Sequence, residues 1–281
     1  MNKIVTIVGA TGYLGQYLVE EFINKGYKVN VIVRSIDKIK RFEKNLNKIH
    51  VINITKAKEL TGLLKGSDIV VSSLGITRQK DNMTYMDVDY RCNQNVLEEA
   101  IISHVDKFMY ISAFKGQEMK HLKIMEAKEK FVESLKAAPI KSYIIRPSGF
   151  FVDIAEVLTM AKKGRVYLFG NGLDRSNPIH GKDLARFCEE TIHKGEGTFS
   201  IGGPEVLTQK EIAVIGFSSL SKRTKITYIP KSLGILTRKA LTIFTNQKFY
   251  GPIEFFLTVL TIDMVAPQYG EKRLKDYFDS L

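Results

Sequence analysis

Three glycines spaced three apart, Gly9, Gly12 and Gly15, follow the apolar run Ile4 to Val8 and open an amphipathic stretch carrying Leu14, Leu18, Val19, Phe22 and Ile23. A glycine turn between a strand and a helix start removes the Cβ atoms that would block a pyrophosphate. The helix N-terminus then offers amide donors and the positive end of its dipole. Gly9, Thr11, Gly12, Tyr13, Leu14 and Gly15 are therefore expected to bind a dinucleotide. An NAD site places a carboxylate about 20 residues past the glycines, on the ribose 2′-hydroxyl. Here that position is Arg34, followed by Ser35 and, one helical turn on, Lys38. A carboxylate repels a 2′-phosphate, whereas an arginine fork binds it through charge-assisted hydrogen bonds, so the expected cofactor is NADP(H). Asn53 is placed to read an adenine edge through donor and acceptor together. Ser73, Leu74 and Gly75 are expected along the ribose and pyrophosphate.

These residues need a scaffold that delivers them to one edge. Strand-like runs at Ile4 to Val8, Val29 to Val33, Ile49 to Ile52, Ile69 to Val71, Lys107 to Ile111 and Ser142 to Ile145 alternate with helical patterns. The helices are expected at Leu14 to Asn24, Ile36 to Asn45, Ala57 to Lys65, Tyr85 to His104 and Lys120 to Ala137. Such alternation predicts an α/β fold, a doubly wound parallel sheet of the Rossmann type. After Arg146-Pro147, glycines and prolines break the chain into short pieces. Helical patterns return at Leu184 to Ile192, Gln209 to Leu220, Ser232 to Phe244, Ile253 to Met264 and Glu271 to Leu281, with a short strand near Ile226 to Ile229. The expected division is an NADP-binding domain over residues 1–147 and a small, mostly helical substrate lobe over 148–281, interleaved with the first.

Net charge is +12, and eleven basic residues face three acidic ones between Lys25 and Lys65. No nucleic-acid motif accompanies that surplus, so no sequence-specific nucleic-acid binding is expected and a phosphate-bearing cofactor accounts for its position. Two cysteines far apart, Cys92 and Cys188, read as buried small hydrophobes of a reducing compartment, and the expected location is cytoplasmic. Met1 to Lys3 leaves no room for a secretory signal, and Pro252 to Pro267 is too short for a membrane span. The five histidines show no metal-ligand spacing, so no metal is expected.

The chain resembles the atypical short-chain dehydrogenase/reductases, in particular the NmrA-like and divinyl-reductase-like branch. The likeness rests on Gly9-Ala10-Thr11-Gly12-Tyr13-Leu14-Gly15, Val88-Asp89-Tyr90-Arg91-Cys92-Asn93-Gln94-Asn95, Phe108 to Ala113, Ile144 to Phe150, Pro178 to Ala185 and Phe199 to Pro204. It implies that Pro147 passes the nicotinamide. The family's catalytic Tyr-x-x-x-Lys pair is only half present: Lys128 matches the lysine, and Ile124 stands where the tyrosine would be. Between Tyr110 and Tyr143 there is no tyrosine to replace it. Ser112 matches the family's active-site serine, and His121, seven residues before Lys128, is expected near the same helix face. Lys128, Ser112 and His121 are thus the candidate catalytic residues, with Lys128 also able to hold the nicotinamide ribose. Two functions follow. One is a reductase of a small, apolar or planar carbonyl or enone-type substrate. The other is a catalytically silent NADP(H)-binding redox sensor or assembly factor acting through a protein partner. Phe150 and Phe151 are expected to wall a substrate crevice, one facing it and the other free to pack in the core. The apolar stretch Ile253 to Met264 is expected to close the site or form a dimer contact, in a monomer or homodimer.

Overall fold

The structure is a computed structural model that describes residues 3–77, 83–233 and 247–281. The chain divides into two compact units, one formed by residues 1–146 with 184–199 and the other by residues 147–183 with 200–281.

In the first unit β1 (Ile4–Val8), β2 (Lys28–Val33), β3 (Lys48–Val51), β4 (Ile69–Ser72), β5 (Lys107–Ile111), β6 (Lys141–Pro147) and β9 (Gly197–Ile201) form one sheet in the order β3-β2-β1-β4-β5-β6-β9. The pairs from β3 through β6 are all parallel. The apolar runs that spell these strands lie at its centre, where both faces are covered, and β1 and β4 are almost wholly buried. Strand order reverses beside β1, which makes its carboxyl end the switch point of a Rossmann sheet. The core between sheet and helices includes Val70, Phe108, Tyr110, Phe131, Leu135 and Ile144.

Helix α1 (Tyr13–Asn24) buries Leu14, Leu18, Val19 and Phe22 as its periodicity predicts. Two expected α-helices are 3-10 segments instead. Asp37–Asn45 buries only Ile39, too little apolar contact to anchor successive α turns, and Ala57–Leu60 buries only Leu60. The latter stops before Gly62, whose φ of +78° leaves the helical region. The expected helix Tyr85 to His104 begins as a π-helix, Met86–Cys92, and continues as α2 (Asn93–Ile102). Thr84 and Asp87 lock its start: the Thr84 amide and hydroxyl donate to Asp87 Oδ2, and the Asp87 amide donates back to Thr84 Oγ1. Helix α3 (Lys123–Ala137) starts after Leu122, whose backbone is extended.

The second unit holds α4 (Phe151–Lys162), a helix the glycine-rich sequence texture concealed, with β7 (Val166–Phe169) parallel to β11 (Ile226–Ile229). A second strand pair, β8 (Arg175–Ser176) and β10 (Leu207–Thr208), is antiparallel. Helix α6 (Gln209–Ser219) starts at a reciprocal cap between Thr208 and Glu211. Helix α7 (Gln247–Val259) replaces the expected helix Ile253 to Met264. By Met264 the chain has turned to exchange backbone hydrogen bonds with Arg175 and Asn177. Helix α8 (Leu274–Asp279) packs through Leu274 and Phe278. The expected helix Ser232 to Phe244 lies, from residue 234 on, outside the described residues. Helix α5 (Gly181–Thr191) runs from the second unit into the first. Asp183 lies inside its first turn. Its Oδ2 accepts from the amides of Glu271 and Lys272, at 3.0 and 2.9 Å.

Candidate functional site

The register of the first unit aligns the ends of its strands. Val8 pairs with Ile32 and with Ser72, Val33 with Val51, Ser72 with Tyr110, and Ile111 with Ile145. Gly9, Arg34, Asn53, Ser73 and Ser112 therefore all follow carboxyl ends of the same parallel sheet, the edge where open α/β sheets take ligands.

Each glycine of the turn has its own physical reason. Gly9 has a φ of +85°, and a Cβ there would meet Ser73 Oγ at 2.9 Å. A Cβ on Gly15 would come within 2.1 Å of the Gly9 carbonyl oxygen and 2.8 Å of Ala10 Cα, so Gly15 lets α1 approach the turn. Gly12 differs. Its φ of −73° and ψ of 170° suit any residue, and a Cβ would touch only the Gly9 oxygen, at 3.3 Å. The protein's own need for glycine is weaker at position 12 than at 9 or 15, since one backbone oxygen would have to give by a few tenths of an ångström. A ligand lying against α1 requires it, since no side chain caps this exposed N-cap and the first-turn amides have no intrahelical acceptor. This cradle fits the pyrophosphate of a dinucleotide. Leu14 contributes backbone there, because its side chain is buried, and Tyr13 lies edge-on to Tyr17 at 5.4 Å.

Ser73 ties the turn to β4: its amide donates to the Val8 carbonyl at 3.0 Å, and its hydroxyl to the same oxygen at 3.2 Å. Asn93, fully buried at the start of α2, accepts from Ser72 Oγ at 2.5 Å and donates to the carbonyls of Leu74, Val88 and Asp89. One amide thus fastens Ser72, Leu74 and the π-helix together.

At the tip of β2, Arg34, Ser35 and Lys38 are exposed. The Ser35 hydroxyl donates to Asp37 Oδ2 at 2.5 Å, and the Asp37 amide donates to Ser35 Oγ at 3.2 Å. Asn53 is exposed too, but its side-chain oxygen accepts from both the amide and the hydroxyl of Thr55, at 3.2 and 2.8 Å. Both bonds to that oxygen are local to the turn.

Lys128, on α3, has its ammonium 2.8 Å from Asp89 Oδ1, with side-chain exposures of 13% and 0%. Asp89 Oδ2 also accepts from the Ile76 amide at 3.2 Å. A Cβ on Gly75 would meet both Asp89 Oδ1 and Lys128 Nζ, so the Ser73 to Gly75 loop closes directly over the pair. Burial opposes the charge on Lys128, but the Asp89 carboxylate and Tyr110 outweigh it and raise its pKa. This lysine is a held cation and a poor proton source at neutral pH. Tyr110 does not take the place of the missing acid: it is wholly buried, and burial pushes its hydroxyl up further.

The two other expected catalytic residues differ in setting. His121 is exposed and precedes α3, so it does not share a helix face with Lys128; the helix begins two residues after it. Ser112 is 5% exposed, and its hydroxyl donates to Glu129 Oε1 at 3.3 Å. Glu129 in turn holds Arg146 through two bonds of 2.6 and 2.7 Å, and Arg146 also donates to the Ala113 carbonyl. Ser112 thus belongs to a buried structural network. Ile124 packs at 5% exposure where the family has its tyrosine. Pro147 is buried at the end of β6.

In the second unit Phe151 is 2% exposed in the core with Val157, Leu158 and Phe217, while Phe150 is half-buried and N-caps α4. Of the expected aromatic wall, only Phe150 keeps exposed surface to offer. Asp89, Asn93 and the Glu129–Arg146 pair escaped sequence reasoning. Asp89, Asn93 and Arg146 lie in stretches that carry the family likeness, and a further signal is polarity at positions where the helix or strand pattern demands a core residue.

Residues 9–194 match the family model described as NAD(P)H-binding. Divinyl chlorophyllide a 8-vinyl-reductase of Arabidopsis thaliana is 28% identical over 307 residues, covering 97% of this chain and 73% of that protein. Photosystem II assembly factor Ycf39 of Trieres chinensis is 23% identical over 228 residues, covering 80% and 71%. The solved structure of AtPrR2 with NADP+ and (+)pinoresinol superposes with a TM-score of 0.80 at 17% identity over 100% of this chain and 99% of that one, a likeness of fold. With the glycine cradle at the switch point of its sheet, the chain belongs to the NAD(P)H-binding family, as an atypical short-chain dehydrogenase/reductase of the NmrA-like kind.

Proposed function

We propose that the protein is an NADP(H)-dependent reductase of a small, apolar or planar substrate whose reducible bond is conjugated to a carbonyl. The observation that carries this reading is Lys128, a cation held by buried Asp89 beside Gly75, with Ile124 in the core where a tyrosine acid would stand. When bound, the cofactor supplies hydride. A site with a fixed positive charge and without the family's tyrosine suits reduction in which hydride adds first to a carbon–carbon double bond. Negative charge then develops on the conjugated oxygen, Lys128 stabilises it, and solvent delivers the proton. The relative named as a vinyl reductase, 28% identical, supports reduction of a carbon–carbon double bond.

NADP(H) is preferred to NAD(H) because Arg34 ends β2 where an NAD site has a carboxylate. Ser73, Leu74, Gly75 and Pro147 are assigned to the cofactor and Phe150 to the substrate. Buried thiols at Cys92 and Cys188, with no disulfide, support a cytoplasmic protein. No helix among the described residues is long and apolar enough to cross a membrane.

One observation favours a second reading. His121 stands exposed ahead of α3 while Ser112 and Tyr110 are buried, an arrangement that suits a protein that binds NADP(H) and signals or assembles through a partner, and a relative carries the name of an assembly factor. A turnover screen of the purified protein with NADPH against carbonyl, enone and quinone panels separates the two. Enone reduction with solvent deuterium appearing at the carbon next to the carbonyl supports the reductase; silence across all three panels supports the sensor.

A further inference from the structure

The tip of β2 carries a conflict. Arg34 and Lys38 are the cations that favour a 2′-phosphate, yet Asp37 stands between them in the chain, exposed, in the first turn of the 3-10 segment Asp37–Asn45. Its carboxylate takes the Ser35 hydroxyl at 2.5 Å, and its own amide returns a bond to Ser35 Oγ at 3.2 Å. A serine hydroxyl has one proton to give. Committed to Asp37, Ser35 has none for a phosphate oxygen, although at a strand tip beside arginine it is the natural neutral donor. The carboxylate also lies one hydroxyl away from where that phosphate charge would sit. A 2′-hydroxyl meets the opposite situation, because a carboxylate accepts its proton.

We propose that Asp37 is a specificity-determining residue that narrows the preference for NADP(H) over NAD(H). Arg34 attracts the 2′-phosphate, Asp37 subtracts from that attraction, and the pair leaves the protein able to take either nucleotide with a modest preference. This rests on the NADP(H) reading above, and the two can fail separately.

The test is calorimetric titration of NADPH and NADH into the wild type, Asp37→Asn, Ser35→Ala and Arg34→Ala, with circular dichroism to verify each fold. Asp37→Asn keeps the amide bond to Ser35 and removes the charge. It should tighten NADPH about fivefold or more at low salt, with a smaller gain at high salt where the repulsion is screened. NADH should be unchanged or weakened. Ser35→Ala should leave NADPH within about twofold, since its hydroxyl already serves Asp37. An Asp37→Asn protein whose NADPH to NADH affinity ratio stays at the wild-type value, or falls, overturns the inference. If Arg34→Ala weakens NADPH while Asp37→Asn changes nothing, only the role of Asp37 is lost. If Arg34→Ala leaves NADPH unchanged, the phosphate does not bind at this strand tip and the NADP(H) reading fails with it.

Discussion

Gly12→Val separates what the fold needs from what the ligand needs. On the protein side the new Cβ meets one atom, the Gly9 carbonyl oxygen at 3.3 Å, which must give slightly, and the backbone at φ −73° is one that valine adopts. Replacing an N-cap glycine by an apolar residue costs at most about 1 kcal/mol, small against a domain stability of roughly 5 to 15 kcal/mol. On the ligand side the two methyl groups occupy the volume in front of the first turn of α1. A pyrophosphate kept off two amide donors there loses two charge-assisted hydrogen bonds, about 3 to 6 kcal/mol together, or roughly a hundred- to ten-thousandfold in affinity. Far-ultraviolet circular dichroism and a thermal melt should look native while calorimetric NADPH binding disappears. Gly15→Ala is the contrasting case: its Cβ would stand 2.1 Å from one backbone atom and 2.8 Å from another, so the turn itself must move and the melting temperature should fall. A Gly12→Val protein that binds NADPH within threefold of wild type would show that no phosphate lies against this helix.

Arg34→Ala should weaken NADPH about ten- to a hundredfold, the scale of an arginine–phosphate bond pair, and leave NADH within about threefold by the same titration. Lys128→Met strands a wholly buried Asp89 carboxylate and should destabilise the first unit by about 3 to 5 kcal/mol in urea unfolding; adding Asp89→Asn should recover most of that, and a double variant no more stable than the single would refute the pairing. Phe151→Ala, at 2% exposure in the core of the second unit, should cost about 3 to 5 kcal/mol. Phe150→Ala should cost far less, and should weaken an apolar ligand while NADPH affinity stays within about 1 kcal/mol; equal stability losses for the two would mean that Phe150 is core as well.

What could be read without coordinates is what a short stretch of chain determines by itself. The strands Ile4–Val8, Lys107–Ile111 and Ile226–Ile229 were each legible to the residue, since apolar runs bounded by turn residues are a local signal. The glycine turn was legible for the same reason. Periodicity alone could not distinguish an α-helix from the 3-10 segment Asp37–Asn45, because one buried isoleucine satisfies either. Nor did it reveal α4, whose first core residue, Phe151, directly follows a glycine and a second phenylalanine and so read as pocket lining. The chemistry of the site was legible as an inventory and not as roles, and Lys128 shows why. Its place in the family pattern named it as a candidate catalytic residue. Its behaviour depends on Asp89, delivered from a π-helix far away in the chain, and on a burial that leaves 13% of its side chain exposed. A lysine with an anion at 2.8 Å keeps its proton and exerts its charge. The partner of Ser112 was hidden for the same reason: Glu129, seventeen residues away and bonded to Arg146, accepts from its hydroxyl. The missing tyrosine was plain from composition, but its consequence was not. With Ile124 filling the core where the tyrosine would stand, the reductase we propose uses Lys128 to stabilise charge and takes its proton from water. That restricts the chemistry to substrates whose reduced form can wait for it.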